Sequence, residues 1–182
     1  MKYRKVISLF IPEINANGSQ DAIYEQSCDV LSYTESVLSI RLCVVFSENK
    51  ILNSREILSR LKYDKKTINS VSFLIEHYKD FVPTDKKNIK WLLYKYGAYN
   101  LSLLFKMKKA NFAQKLMEEI IENRECFSLK DLEVSGDDLK DFGIFGEKIG
   151  ETLNYLLKEV IEERVENTKK ALVEKAKSIL RQ

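Results

Sequence analysis

The chain has 182 residues, 45% hydrophobic and 31% charged, with 30 Lys and Arg against 27 Asp and Glu. That length fits one large or two small domains, and the composition excludes a disordered chain. A net charge of +3 is too small to imply nucleic acid by itself, and two prolines with six glycines leave few helix breaks.

In chain order, Val6, Phe10 and Ile11 give a first short helix an apolar stripe that Pro12 closes. Residues 15–20 read as a polar loop. One or two helices follow from Ala22 to Phe46, the second strongly apolar and central in its bundle. Asn53 or Ser54 caps a helix with Ile57, Leu58 and Leu61 on one face. After a turn at Lys62-Tyr63-Asp64, Asp64 caps a helix carrying Ile68, Val71, Leu74 and Ile75. Pro83-Thr84-Asp85 starts another, which Gly97 ends. Leu101, Leu104 and Phe105 begin the next. Phe112, Leu116, Ile120 and Ile121 mark the face of one that runs toward Glu125.

Four of the six glycines (Gly136, Gly143, Gly146, Gly150) fall in a short segment after residue 126. That segment leads into a helix with Ile149, Leu153, Leu156, Val160 and Ile161 inward, and a last helix begins near Glu166. No strand-period alternation occurs. The reading is all-α: a multi-helix bundle body over 1–125 and a smaller helical tail over 126–182.

Cys28, Cys43 and Cys126 form neither a disulfide framework nor a zinc pattern, which suits reduced cysteines in a cytoplasmic protein. The basic-then-apolar N-terminus lacks a cleavage site, and no run approaches the roughly 20 apolar residues of a membrane span, so a soluble chain is expected. A single histidine, His77, cannot supply a metal cluster or a Ser-His-Asp arrangement, and no phosphate-binding glycine loop follows a strand. No catalytic residues, metal ligands or cofactors are assigned.

Binding signals are stronger. Residues 86–115 hold eight lysines and no acid. On the helix after Asp85, Ile89, Leu92, Leu93 and Tyr96 form the core stripe, which places Lys87, Trp91, Tyr94 and Lys95 nearly opposite. An outward Trp91 among lysines suits stacking on a base while ammonium groups meet phosphates; packing of Trp91 under a neighbouring helix is the alternative. Lys106, Lys108 and Lys109 enlarge the patch. Around Phe142-Gly143-Ile144-Phe145-Gly146, exposed N–H groups at a helix start, with Lys140 and Lys148 nearby, could meet a phosphate; otherwise the segment is a tight interhelical turn.

The order of these segments resembles the C-terminal half of bacterial CCA-adding tRNA nucleotidyltransferases and their poly(A) polymerase relatives. Leu129-Lys130-Asp131-Leu132, Gly136-Asp137-Asp138-Leu139, Gly143-Ile144 and Gly146-Glu147-Lys148-Ile149-Gly150-Glu151 look like the family's tail signature, with Glu166-Asn167 before the last helix. Ile57-Leu58-Ser59-Arg60-Leu61-Lys62-Tyr63, Phe73-Leu74-Ile75-Glu76-His77 and Leu92-Leu93-Tyr94-Lys95-Tyr96-Gly97 look like its body segments. Phe10-Ile11-Pro12-Glu13 resembles its entry.

The family's catalytic head, with a Gly-Ser turn and an Asp-x-Asp metal pair, and its nucleotide-selecting neck have no counterpart here. A degenerate HD-like region is similar near 22–50: Tyr33 in Asp29–Thr34 stands for a histidine, and Ser47-Glu48 stands for His-Asp. The resemblance implies a non-catalytic, tRNA-binding body and tail, with tRNA as partner and a separate nucleotidyltransferase head as a further one. A residual phosphohydrolase of HD type and a protein-interaction scaffold are the alternatives.

Overall fold

The computed structural model describes residues 11–13, 37–48 and 53–180. The expected helix over 6–10, the loop over 15–20, the start of the segment after Ala22 and the Asp29–Thr34 stretch lie outside the described residues. Within them the fold is all-α, without a strand. The helices are α1 (Leu38–Glu48), α2 (Ser54–Arg60), α3 (Lys65–His77), α4 (Lys86–Met107), α5 (Asn111–Glu122), α6 (Gly136–Asp141), α7 (Glu147–Ile161) and α8 (Lys169–Leu180). A 3-10 turn covers Leu129–Asp131.

The chain forms two compact units, one from Met1–Val82 with Ser102–Asn111, the other from Pro83–Leu101 with Phe112–Gln182. A break at 125/126 falls inside the second. In the first unit α3 packs on α1 and α2. Phe46, Ile57, Leu58, Ile68 and Val71 form a shared core with Ile11, flanked by Leu42, Leu61, Tyr63 and Ile75. Ile40, Cys43 and Phe46 are fully buried, as the apolar character of α1 requires. The Asp64 side chain accepts the Thr67 N–H at 3.0 Å, satisfying one of the orphan donors that open α3.

α2 ends with Lys62 in the left-handed region (φ 62°). The Lys62 N–H reaches Ser59 O at 3.0 Å and the Tyr63 N–H reaches Leu58 O at 3.0 Å. This pair of bonds is the Schellman ending, a position glycine favours because it has no Cβ. Gly97 breaks α4 with φ 73° and ψ 157°, the helix end its sequence implies.

The second unit is built around α7. Leu156, Leu157, Val160 and Ile161 meet Leu139 and Ile144 from the glycine-rich segment, Leu172 and Ala176 from α8, and Cys126, Leu132 and Val134 from the connecting turns. Ser135 and Asp138 make a reciprocal capping box at the start of α6. A Cβ on Gly136 would stand 3.1 Å from Ile149 Cγ2, so the approach of α6 to α7 needs a small residue there. Asn167 staples the 3-10 turn to the entry of α8: its Nδ2 donates to Asp131 O at 2.7 Å and its Oδ1 accepts the Glu133 N–H at 3.1 Å.

On α5 the buried face is Ala113, Met117 and Ile120, while Phe112 and Ile121 are exposed. The expected stripe of Phe112, Leu116, Ile120 and Ile121 is therefore rotated. Small Ala113 counts for little in hydropathy, yet it occupies the contact.

Candidate nucleic-acid interface

The segment from Lys86 to Tyr96 carries most of the expected site. Ile89 and Leu93 are buried, and Leu92 and Tyr96 are half-buried. Trp91 does not point outward: it is half-buried against the core around α7, and its Nε1 faces Glu162 Oε1 at 3.4 Å. The hydropathy stripe located one buried face of this helix, but the helix has two. The second consists of amphipathic side chains whose apolar bodies pack while their polar tips find partners.

Lys87 and Tyr94 share that face, at i, i+4 and i+7 with Trp91. Lys87 Nζ donates to Glu162 O at 3.3 Å and lies 3.8 Å from Glu163 Oε2. The Tyr94 hydroxyl donates to Asn154 Oδ1 at 2.9 Å, and its ring meets Trp91 edge-on at 6.0 Å. Tyr94 keeps 40% of its surface exposed. The three side chains thus dock the start of α4 along α7.

The acid-free lysine run is not acid-free in space. Lys86 Nζ and the buried Lys90 Nζ each lie 2.8 Å from an oxygen of Glu125, and Glu119 stands 3.7 Å from Lys86. Burial pushes the Glu125 carboxyl up, but these hydrogen bonds outweigh it and hold the group below its ordinary range. Lys108, in the first unit, donates to Tyr78 O at 2.7 Å and Asp80 O at 2.6 Å, tying down the turn after α3.

The remaining candidates are more open. Lys95 is exposed, with its ammonium 4.9 Å over the Tyr96 ring. Lys106 and Lys109 are exposed in the first unit. Lys140 is paired with Asp137 at 2.7 Å. Lys148 is exposed in the first turn of α7, next to Gly146, which opens that helix with φ 63° and ψ −138°. In the glycine segment Ile144 is buried, Phe142 lies under Lys177 at 4.4 Å, and Phe145 is 64% exposed. The turn is packed on one side and open on the other. Lys87, Trp91 and Tyr94 come together; Lys106, Lys108 and Lys109 belong to the first unit, and the other candidates belong to the second.

Sequence reasoning missed Glu159. It is 3% exposed and sits between Arg164 Nη1 at 3.0 Å and Lys175 Nζ at 2.8 Å. The Lys175 hydrogen bond holds its carboxyl below the ordinary range against the opposing effect of burial, and Arg164 adds to it. Its position three residues after Leu156, inside the apolar stripe of α7, was the available signal.

His77 Nδ1 bonds Asp80 Oδ2 at 2.7 Å at the end of α3, and burial pushes the Cys43 and Cys126 thiols up to about 11, away from thiolate chemistry. Among the described residues no group of three His, Cys, Asp or Glu could hold a metal ion, and no helix is long and apolar enough to cross a membrane.

The family model described as tRNA nucleotidyltransferase domain 2 matches residues 34–176. No curated protein and no solved structure matches the chain. Matched over most of its length, the chain belongs to the tRNA nucleotidyltransferase domain 2 family.

Proposed function

We propose that this tRNA nucleotidyltransferase-family chain is a non-catalytic tRNA-binding body and tail that positions tRNA in the cytoplasm for a nucleotidyltransferase head. The observation that carries the reading is the family match over residues 34–176. Exposed cations support it. Lys95, Lys106, Lys109 and Lys148 are open to solvent, where ammonium groups neutralise phosphates and a helical scaffold reads shape more than sequence. Tyr94, partly exposed beside Lys95, offers a ring edge for a sugar or base. Lys87, Trp91 and Lys108 serve the same purpose indirectly, as the braces that hold these helices in place.

The test is retention of tRNA on a gel across a salt series. The parent is expected to bind with a steep salt dependence. Lys95, Lys106, Lys109 and Lys148 changed together to Glu should abolish retention with the helical spectrum intact. Unaltered retention in that variant, or metal-dependent phosphatase turnover by the parent without tRNA binding, rejects the reading.

A further inference from the structure

We propose that the α2–turn–α3 hairpin is a second contact surface for the RNA backbone, with Lys62 and Lys65 meeting phosphates. The inference rests on the RNA-binding reading above and adds a site that none of its residues includes.

The hairpin spends local stability on where it puts its cations. Lys62 occupies the left-handed position that closes α2, where glycine is favoured and a side chain is strained. Its charge is at least welcome there, because the carbonyl end of a helix attracts cations. Lys65 and Lys66 have the opposite problem. They open α3, whose first turn contains no acid, so two ammonium groups sit at the positive end of a helix dipole. All three are exposed. A strained lysine followed within four residues by two electrostatically misplaced ones is a departure from local rules, and such departures gather at functional sites.

The surrounding structure holds these charges in a fixed display. Leu61 and Tyr63 pack into the first unit's core on either side of Lys62. Arg55 on α2 donates to Asn69 Oδ1 on α3 at 3.1 Å, bracing the two helices and adding a fourth exposed cation. Arg60 forks onto Glu13 at 2.9 and 3.0 Å. The hairpin's own acids are Glu56, Asp64 and, at the far end of α3, Glu76. Asp64 accepts the Thr67 N–H and, at 2.6 Å, the Thr67 hydroxyl, which caps α3.

Other helix ends sharpen the contrast. Lys109, Arg124 and Glu163 also stand in the left-handed region at helix ends. Glu163 has a partner in Lys87, which gives it a structural reason to be there. Among the described residues Lys62 and Lys65 have no carboxylate within ion-pair distance, so their charge remains for a ligand.

Lys62→Gly in the full chain separates binding from folding, because glycine suits the backbone that lysine strains. The thermal midpoint should hold or rise. The slope of log K for tRNA against log salt should fall by about 1, which is about tenfold in affinity at 0.1 M salt. Lys62→Arg should keep the parent slope. Lys62→Gly with Lys65→Gln should lower the slope by about 2. A Gly variant that binds tRNA with the parent's slope overturns the hairpin surface and leaves the RNA-binding reading intact. A parent that shows no salt-dependent tRNA binding ends both. Weakened binding with an unchanged slope also overturns the hairpin surface, since it removes no phosphate contact.

Discussion

The two compact units differ in net charge. The first, Met1–Val82 with Ser102–Asn111, contains fourteen basic and ten acidic residues; the second contains sixteen and seventeen. The +3 of the chain is therefore the sum of a cationic unit and a nearly neutral one. In the second unit Lys86, Lys87, Lys90, Lys140, Arg164, Lys169 and Lys175 all stand within ion-pair distance of carboxylates. In the first, Lys62, Lys65, Lys106 and Lys109 are exposed without one among the described residues. Cations that hold a fold together are already neutralised, and a polyanion gains less by meeting them. Open cations are the ones that contribute salt-dependent affinity.

Four substitutions or conditions test that division. The largest effect on stability is expected for Glu159→Ala. It leaves Lys175 and Arg164 without their buried carboxylate and should cost about 2–3 kcal/mol in urea unfolding followed by Trp91 emission. A cost near zero would mean the second unit does not depend on its internal pairs.

Trp91→Phe comes next. The loss of packed indole surface and of the Glu162 contact should lower stability by about 1–2 kcal/mol by circular dichroism, with tRNA affinity unchanged. Lost affinity at full stability would return Trp91 to the role of a stacking residue.

Acid should act in the same unit. The Glu125, Asp138 and Glu159 carboxyls all lie below their ordinary range in the folded state, through Lys86 and Lys90 against burial, through Lys169 and Ser135, and through Lys175 and Arg164. Depressed carboxyls contribute stability that is complete above the unfolded value of about 4 and is lost as pH falls through the lower folded values. Because Trp91 is the chain's only tryptophan and lies in the second unit, its emission should shift below about pH 4 and hold steady from pH 5 to 7. A transition centred near pH 6 would contradict this.

The smallest change in stability belongs to Lys106→Gln, within about 0.5 kcal/mol of the parent by thermal melt, because the side chain is exposed. Its effect should appear in the salt slope of tRNA binding instead.

Much of the fold was legible in the sequence. Asp64 capping α3, Gly97 ending the first part of α4, and the inward stripe of α7 all depend on residues close together along the chain, which periodicity and capping rules read directly. The tail signature was legible too, and Asn167 shows why it spans so many residues: its amide joins turns more than thirty residues apart. The lysine run was misread for the converse reason. Counting acids between 86 and 115 could not reveal that Glu125 and Glu163 stand beside Lys86, Lys90 and Lys87.

By itself, then, the sequence determined that the chain is helical, where most helices start and stop, and which family it joins, because each depends on local pattern or on motifs read in order. Tertiary structure alone decided which cations are spent inside the protein and which face solvent. Whether a lysine is neutralised depends on carboxylates brought near it by folding, and that distance is set by packing, not by position in the chain.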